Sequence, residues 1–314
     1  MNSTINIIKT QTAPLGGSNL NGGMINDFIQ FLDVKPRTVE TYKKALKQFF
    51  LFLTKNNITQ PQRQDIINYR NTISSVHKAT TAQSYVNAVK RFFAYTEIMG
   101  LYPDIARNVK NVHIDRTVYK KDFLTADQLK EILLLLEEDQ TPEGLRNKAL
   151  FLLAVTGALR TIEIERANVE DLTTRGPYTY LFVQGKGKDE KDSPVKLNGK
   201  TIKAIRDYLA TRPDLEPGEP LFTSTSNRNL NGRMSTRSIS GILKNAMRKA
   251  GYDSEMLTAH SLRHTAATLN LRAGADITEV QQFLRHTDIS NTLIYAHMLE
   301  IEKNQCSARI EELF

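Results

Sequence analysis

The sequence has little cysteine and no long apolar run. Cys306 is the one cysteine among 314 residues, which excludes an internal disulfide bond and a cysteine-based zinc module. The longest apolar runs, 132–136 and 149–155, are far shorter than the roughly 20 residues that cross a bilayer, so we expect no membrane span. Residues 1–20 contain one lysine and no apolar stretch typical of a secretory signal. A reducing cytoplasm fits these absences best.

The basic residues are unevenly distributed. Lys and Arg number 42 against 34 Asp and Glu, for a net charge of +8. Residues 1–121 hold 17 of the basic and 7 of the acidic residues. Such a segment suits the phosphate backbone of a nucleic acid, although a solvated helical face is the alternative. The candidate DNA-contacting residues of this segment are Lys43, Lys44, Lys47, Lys90 and Arg91.

The length and the hydrophobic pattern predict two domains. Residues 1–22, rich in glycine and small polar residues, predict a flexible arm. Residues 23–109 predict a helical core DNA-binding domain, and the polar residues 110–122 predict a linker. The four amphipathic helices of that domain are expected near 24–33, 36–55, 61–74 and 79–98.

Residues 123–314 predict a second domain of mixed structure. Thr125 and Gln128 have the spacing of a capping box, and a buried helix over 143–157 ends at a glycine. Two β-like runs, 178–184 and 193–197, predict a hairpin around a turn-rich segment. Further helices are predicted at 199–211, 236–250, 261–273 and 277–285. The expected fold class is mainly α with a small antiparallel sheet, a helical domain followed by an α+β domain.

Histidines are concentrated in the second domain. His260, His264, His286 and His297 fall within 38 residues. A zinc site is disfavoured because no glutamate follows His260 and no cysteine assists. His260 and Arg263 share a helix face at i, i+3, which places a proton carrier beside a fixed cation. Arg160 follows an apolar helix and a glycine break, and Tyr295 stands nine residues after His286.

This ordered set resembles the signature of the tyrosine recombinases, the phage integrase family. The matching residues are Arg160, His260, Arg263, His286 and Tyr295. The turn after Gln184 resembles the lysine-bearing hairpin of that family, with the lysine placed at Lys186 and Lys188 as the alternative. Two departures stand out: Arg285 lies where the family often has glycine, and Thr161 where it often has a small apolar residue.

The resemblance implies a site-specific recombinase that cuts and rejoins DNA through a 3′-phosphotyrosyl intermediate, to integrate, excise or resolve DNA. Tyr295 would be the nucleophile, beside His260, and Arg160 and Arg263 would clamp the phosphate, for which the planar guanidinium is well suited. Lys186 would protonate the leaving 5′ oxygen as general acid.

Three further residues are given supporting roles. His286 would hydrogen-bond the scissile phosphate, and Glu163 would orient an arginine or the histidine pair from behind. Arg285 is a candidate phosphate contact. Each residue of the set also has an ordinary structural reading, such as a helix-terminal cation, a capping histidine or a core tyrosine, but all five in order favour a site.

The resemblance implies neither a metal nor a cofactor. The expected partner is double-stranded DNA with an inverted-repeat core site, bound by four protomers on two sites, with an accessory DNA-bending protein and no membrane. The location would be the cytoplasm, at the nucleoid. The tail 300–314 either docks on a neighbouring copy or packs on its own domain.

Two other functions remain open from the sequence. A type IB topoisomerase uses a similar residue set to relax one duplex without exchange between two sites. A DNA-binding protein on the same fold would retain the set without using it. Within the recombinases, an Xer-type enzyme and a mobile-element integrase are both consistent with the residues.

Overall fold

The computed structural model describes residues 22–114, 122–185 and 188–311. The chain divides into two compact units, Met1–Arg116 and Thr117–Phe314. The expected fold class is confirmed, because the described residues are mainly helical with one small antiparallel sheet. Nearly all of the predicted arm, much of the predicted linker and Lys186 lie outside the described residues. No helix within the described ranges has the length and apolar character to cross a membrane.

Four helices make up the described part of the first unit, and each was predicted to within two residues. They are α1 (Gly22–Phe31), α2 (Pro36–Lys55), α3 (Arg63–Val76) and α4 (Ala79–Ile98). Pro36 fits the first turn of α2, where no backbone N–H is needed. Aromatic rings form much of the core, and Phe49 on α2 meets Phe93 on α4 edge to face with ring centroids 5.8 Å apart.

The second unit is built around one buried helix. Its helices are α5 (Ala126–Glu138), α6 (Pro142–Thr156), α7 (Thr161–Arg166), α8 (Gly199–Leu209), α9 (Thr236–Lys249), α10 (Ala259–Arg272), α11 (Ile277–Leu284), α12 (Ser290–Lys303) and α13 (Cys306–Glu311). The central helix α6 contacts α5, α8, α9 and α10. The predicted capping box is present at the start of α5, where the Thr125 hydroxyl accepts from the Gln128 N–H at 3.2 Å.

A three-stranded antiparallel sheet lies within this unit, with strand order β1 (Leu172–Arg175), β2 (Tyr178–Val183), β3 (Ser193–Lys196). The predicted hairpin is confirmed as β2 and β3, with Leu181 opposite Val195. Strand β1 was not predicted, because its four residues are too few to show alternation. It joins β2 through Gly176, whose φ of +56° favours glycine.

Two helices that carry site residues were also missed. Helix α7 spans six residues, less than two turns, so no period of 3.6 could be read from it. Helix α12 follows a short loop and extends to Lys303, which is past the start of the predicted tail helix. In addition, α10 begins at Ala259 rather than 261, so His260 lies in its first turn.

The turn between α6 and α7 is tightly built. A Cβ at Gly157 would lie 2.4 Å from Leu159 Cδ1 and 2.9 Å from the Leu153 carbonyl oxygen, so glycine is required there. Ala158 is buried with φ at +47°, a left-handed conformation that costs a non-glycine residue about 1 kcal/mol. The turn thereby presents two carbonyl groups to the interior of the second unit.

Helix α2 offers a test of the helical core. Phe49→Ala should lower the free energy of unfolding of the first unit by about 3 to 5 kcal/mol, because the fully buried ring leaves a cavity. Leu51→Ala on the same helix should change it by less than about 0.5 kcal/mol, since that side chain is 53% exposed. Urea denaturation of the whole chain measures both, and equal losses would contradict this packing.

Candidate active site

Five residues of the predicted catalytic set lie in the described segments and come from four places in the second unit. Arg160 caps the N-terminus of α7, His260 and Arg263 lie on α10, and His286 follows α11. Tyr295 lies on α12, which packs against both α10 and α11. The tyrosine is 3% exposed and shares a small apolar cluster with residues of the turn, α10 and α11. The fold therefore brings together groups that are up to 135 residues apart in the chain.

Glu163 binds two arginines of the site, Arg160 and Arg285. Its carboxylate is fully buried, and its Oε1 accepts from Arg160 Nη1 at 2.7 Å. Its Oε2 accepts from the Arg160 backbone N–H at 2.9 Å and from Arg285 Nη2 at 3.0 Å. Burial raises the pKa of Glu163, but the charges of Arg285 and Arg160 outweigh it and hold the pKa below its usual value. The carboxylate is therefore ionised at neutral pH.

Arg263 is anchored by backbone carbonyl groups. It is 1% exposed, its Nη1 donates to the Ala158 carbonyl at 2.5 Å, and its Nη2 donates to the Leu284 carbonyl. Burial, with the nearby charges of Arg160 and Arg285, lowers the pKa of Arg263 to about 9. The guanidinium thus remains charged at neutral pH, and its fork still has further N–H groups.

The Tyr295 hydroxyl is hydrogen-bonded to a ring nitrogen, Nδ1 of His264. His264 was noted in the sequence but not included in the predicted catalytic set. Its signal was the i, i+4 spacing from His260, which places the two rings on one side of α10 with centroids 4.5 Å apart. Burial raises the pKa of Tyr295 to about 12, although Arg263 and Arg160 act in the opposite direction.

His286 lies among the same cations. Its Nδ1 pairs with the Thr292 hydroxyl at 2.9 Å, and its carbonyl accepts from Gln281 Nε2 at 3.1 Å. Burial, followed by the charges of Arg263 and Arg160, lowers the pKa of His286 to about 4. The ring is therefore neutral at pH 7 and can either donate or accept a hydrogen bond.

The hairpin carries two candidate lysines, Lys186 and Lys188. Lys186 lies outside the described residues. Lys188, the alternative, has its ammonium group on the Asp192 carboxylate at 2.7 and 2.8 Å and near the Ser193 hydroxyl at 3.3 Å. The Lys188 carbonyl also accepts from Gln184 Nε2 at 2.8 Å. Lys188 thus bonds to a residue on each strand side of the hairpin, Gln184 before it and Asp192 after it.

The basic residues of the first unit fall into two groups. Lys43, Lys44, Lys47 and Arg91 are exposed. Lys44 and Thr41 of α2 line a shallow groove with Thr80 and Ser84 of α4. Lys90 is only partly exposed, because its ammonium group donates to the Val109 carbonyl at 2.8 Å. Its first role in the structure is therefore to hold the chain after α4.

The structure gives Arg285 a different setting from the phosphate contact suggested by the sequence. Its side chain is 14% exposed and directs its guanidinium inward to Glu163 and to carbonyl groups. Within the described ranges, no group of three or more His, Cys, Asp and Glu side chains is arranged to hold a metal ion.

Known proteins share both the sequence pattern and the fold. Residues 122–301 match the phage integrase family, and residues 25–97 match the phage integrase N-terminal SAM-like domain. Tyrosine recombinase XerD of Rickettsia conorii is 28% identical over 295 residues, 88% of this chain and 94% of that protein. Tyrosine recombinase XerC of Roseiflexus sp. strain RS-1 is 30% identical over 268 residues, 83% of each.

A solved structure supports the same fold. The site-specific recombinase XerH, crystallised with a palindromic difH substrate in a post-cleavage complex, matches with a TM-score of 0.72 and 20% identity. The match covers 87% of this chain and 80% of that one. At this identity the likeness establishes the architecture, and the roles of individual residues have to come from the geometry described above.

The half-buried imidazole of His286 gives a prediction for stability at low pH. The unfolded chain protonates His286 near the ordinary pKa of about 6.5, whereas the folded chain does so near 4. The contribution of the neutral His286 ring to folding stability is fully present above pH 6.5 and is therefore lost as the pH falls toward 4. His286→Asn, which can retain a bond to Thr292, should lose less thermal stability between pH 7 and pH 5 than the parent. Identical losses in the two proteins would contradict this assignment.

Proposed function

We propose that this chain, which belongs to the phage integrase family and is a tyrosine-type site-specific recombinase, cuts DNA with Tyr295 while Arg160 and Arg263 hold the scissile phosphate. The observation that carries the proposal is the contact of the Tyr295 hydroxyl with the His264 ring, close enough to Arg263 and Arg160 for their charges to lower the pKa of the tyrosine. A nucleophile, a proton acceptor and fixed positive charge are the requirements of this chemistry.

The two arginines are suited to the charge that develops during attack. The transition state places negative charge on the non-bridging oxygens of the phosphate, and preorganised cations stabilise it without rearranging. Arg160 is held by Glu163, and Arg263 is held by the Ala158 and Leu284 carbonyl groups. Because each is fixed on one side, the remaining N–H groups of each fork are available for the phosphate.

The tyrosine needs help to lose its proton. A pKa of about 12 leaves almost no phenolate at neutral pH. The Tyr295 oxygen attacks phosphorus as its proton passes to His264 Nδ1, in the tautomer that carries its proton on Nε2. The bond between phosphorus and the 5′ oxygen breaks, and its electron pair stays on that oxygen.

The leaving oxygen then takes a proton, which Lys186 supplies in this proposal. The support is the resemblance of the hairpin and the fact that the alternative, Lys188, has its ammonium group on Asp192. The products are a 3′-phosphotyrosyl bond and a free 5′ hydroxyl. Attack by a 5′ hydroxyl of a second duplex reverses the same steps and completes the exchange, so no external energy source is consumed.

The two other histidines have positioning or phosphate-binding roles. His260 stacks edge to face on His264, which orients the proton acceptor. His286 is neutral at pH 7, and its Nδ1 is engaged with Thr292. A neutral imidazole can donate a hydrogen bond to a phosphate oxygen from its other nitrogen.

The first unit supplies affinity for DNA in this proposal. Its exposed Lys43, Lys44 and Lys47 lie on α2, and hydroxyl groups of α4 line the groove beside Lys44. Lysines and hydroxyl groups are typical partners of phosphate oxygens. The substrate would be double-stranded DNA with an inverted-repeat core site.

Recombination between two sites requires several protomers. We extend the proposal to four protomers on two core sites, with an accessory DNA-bending protein and a cytoplasmic, nucleoid-associated location. The C-terminal part supports association, because Ile301 at the end of α12 and Ile310 on α13 are exposed. Burying such side chains against a neighbouring copy is favourable by about 1.5 to 3 kcal/mol each.

The nucleophile can be tested with a suicide duplex, nicked near the cleavage point and taken from the DNA that flanks the gene. The parent should give a protein band carrying DNA on a denaturing gel, and Tyr295→Phe should bind the duplex but give no band. Tyr208→Phe is a matched control, since that tyrosine is also 3% exposed and bonded through its hydroxyl, to Thr223. A band from Tyr295→Phe would disprove the assignment, and relaxation of supercoils without exchange would indicate a topoisomerase.

The proton acceptor can be tested separately. His264→Gln should slow formation of the covalent band by about 10²-fold, the usual contribution of a general base, while DNA affinity remains within about twofold. His297→Gln on α12 is the control, because its side chain is 56% exposed and its Nδ1 lies 3.8 Å from a carboxylate oxygen of Glu300. A single-turnover time course measures both, and unchanged kinetics for His264→Gln would remove it from the mechanism.

A further inference from the structure

We infer that Arg285 is a positioning residue that fixes the orientation of Arg160 by way of Glu163. The inference rests on the proposed function and deepens it, because Arg160 is one arm of the proposed phosphate clamp. It assigns a role to a residue at which this chain departs from the common glycine of the family it resembles. Arg285 would then act on DNA cleavage without touching DNA.

The backbone at this position explains why glycine would be the ordinary choice. Arg285 ends α11 in the left-handed region, with φ at +54° and ψ at +44°. Glycine takes this helix-ending conformation without strain, whereas an L residue with a side chain loses about 1 kcal/mol. An arginine here needs a compensating interaction, and its side chain makes several.

The contacts of the Arg285 side chain are within the second unit. Its Nη1 donates to the Phe283 carbonyl at 2.9 Å and to the Gly157 carbonyl at 3.3 Å. Its Nη2 donates to the Ala158 carbonyl and to Glu163 Oε2, both at 3.0 Å. The residue therefore ties the end of α11 to the turn that precedes Arg160.

Glu163 is the link between the two arginines. One of its oxygens takes the Arg160 guanidinium, and the other takes the Arg160 backbone N–H together with Arg285. Because the carboxylate is fully buried, its ionised form depends on the charges around it, which are those of Arg160, Arg263 and Arg285. Without Arg285 the carboxylate would protonate at a higher pH and would hold Arg160 less firmly.

The sign of the pH effect follows from this arrangement. With Arg285 present, the pKa of Glu163 lies below the usual value of a glutamate, so the carboxylate stays ionised to a lower pH. In Arg285→Gly the pKa of Glu163 rises, so cleavage should decline at a higher pH on the acidic side than in the parent. A residue that only stabilises the fold, or that binds phosphate, would leave the position of this decline unchanged.

The experiment compares Arg285→Gly, Arg285→Lys and the parent on the suicide duplex from pH 9 down to the lowest pH at which all three proteins remain folded, so that the range extends toward the pKa of Glu163. We expect Arg285→Gly to bind DNA within about twofold, to cleave about tenfold more slowly at pH 7 and to show the shifted acidic limb. Arg285→Lys should recover part of the rate, because it restores a positive charge near Glu163. Glycine suits the left-handed backbone, so a folding defect is not expected to obscure the result.

Arg212→Gly is the matched control. Arg212 is also 14% exposed, and it bonds one carboxylate, of Glu219, and two carbonyl groups, of Pro220 and Leu221. Its loss should affect thermal stability but not the acidic limb of cleavage. A shift of that limb in Arg212→Gly as well would overturn the inference.

A double-mutant cycle with Glu163→Gln tests whether Arg285 acts on cleavage through Glu163. If Arg285 acts through Glu163, Arg285→Gly should slow cleavage little further in the Glu163→Gln background. Additive losses, an unshifted pH limb, or weaker DNA binding with a shallower salt dependence would each overturn the inference. If the parent forms no covalent band, the proposed function fails, and the same cycle on thermal stability decides whether Arg285 and Glu163 are coupled.

Discussion

The arrangement of arginines in the second unit depends on their interaction with the buried carboxylate of Glu163. Arg160 and Arg285 both bond this carboxylate, and Arg263 is close enough to both arginines for their charges to lower its pKa. The three guanidinium groups repel one another, and the negative charge of Glu163 among them offsets that repulsion. The carboxylate in turn stays ionised in the interior because the guanidinium groups surround it.

The turn between α6 and α7 gives these cations a second set of partners. Its left-handed residue, Ala158, directs a carbonyl group to both Arg263 and Arg285, and Gly157 contributes another to Arg285. In the proposed mechanism, an arginine that is bonded on one side to the backbone keeps its orientation when the phosphate binds. In that mechanism the turn, with its left-handed Ala158, contributes to the preorganisation of the two cations.

In the proposed mechanism, the tyrosine combines burial with a reactive role. Removal from water raises the cost of ionising Tyr295, which disfavours a free phenolate, while the nearby arginines and the contact with His264 reduce the cost of passing its proton on. Proton transfer coupled to attack satisfies both tendencies. The neutral state of His286 fits the same environment, since another positive charge beside Arg263 and Arg160 would be unfavourable.

The sequence by itself determined the fold class, most of the helices that are long enough to show a period, and the residue types proposed for the site, because each depends on local pattern or on chemistry that few residues can perform. It did not predict α7 or β1, since such short elements have no readable period, and it also missed α12. Nor did it identify His264 as the partner of Tyr295, because that contact depends on the packing of α10 against α12. It also suggested a phosphate contact for Arg285. Only the tertiary structure decided that this guanidinium faces Glu163, because the direction of a side chain is set by the buried charge and carbonyl groups that other parts of the chain bring to it.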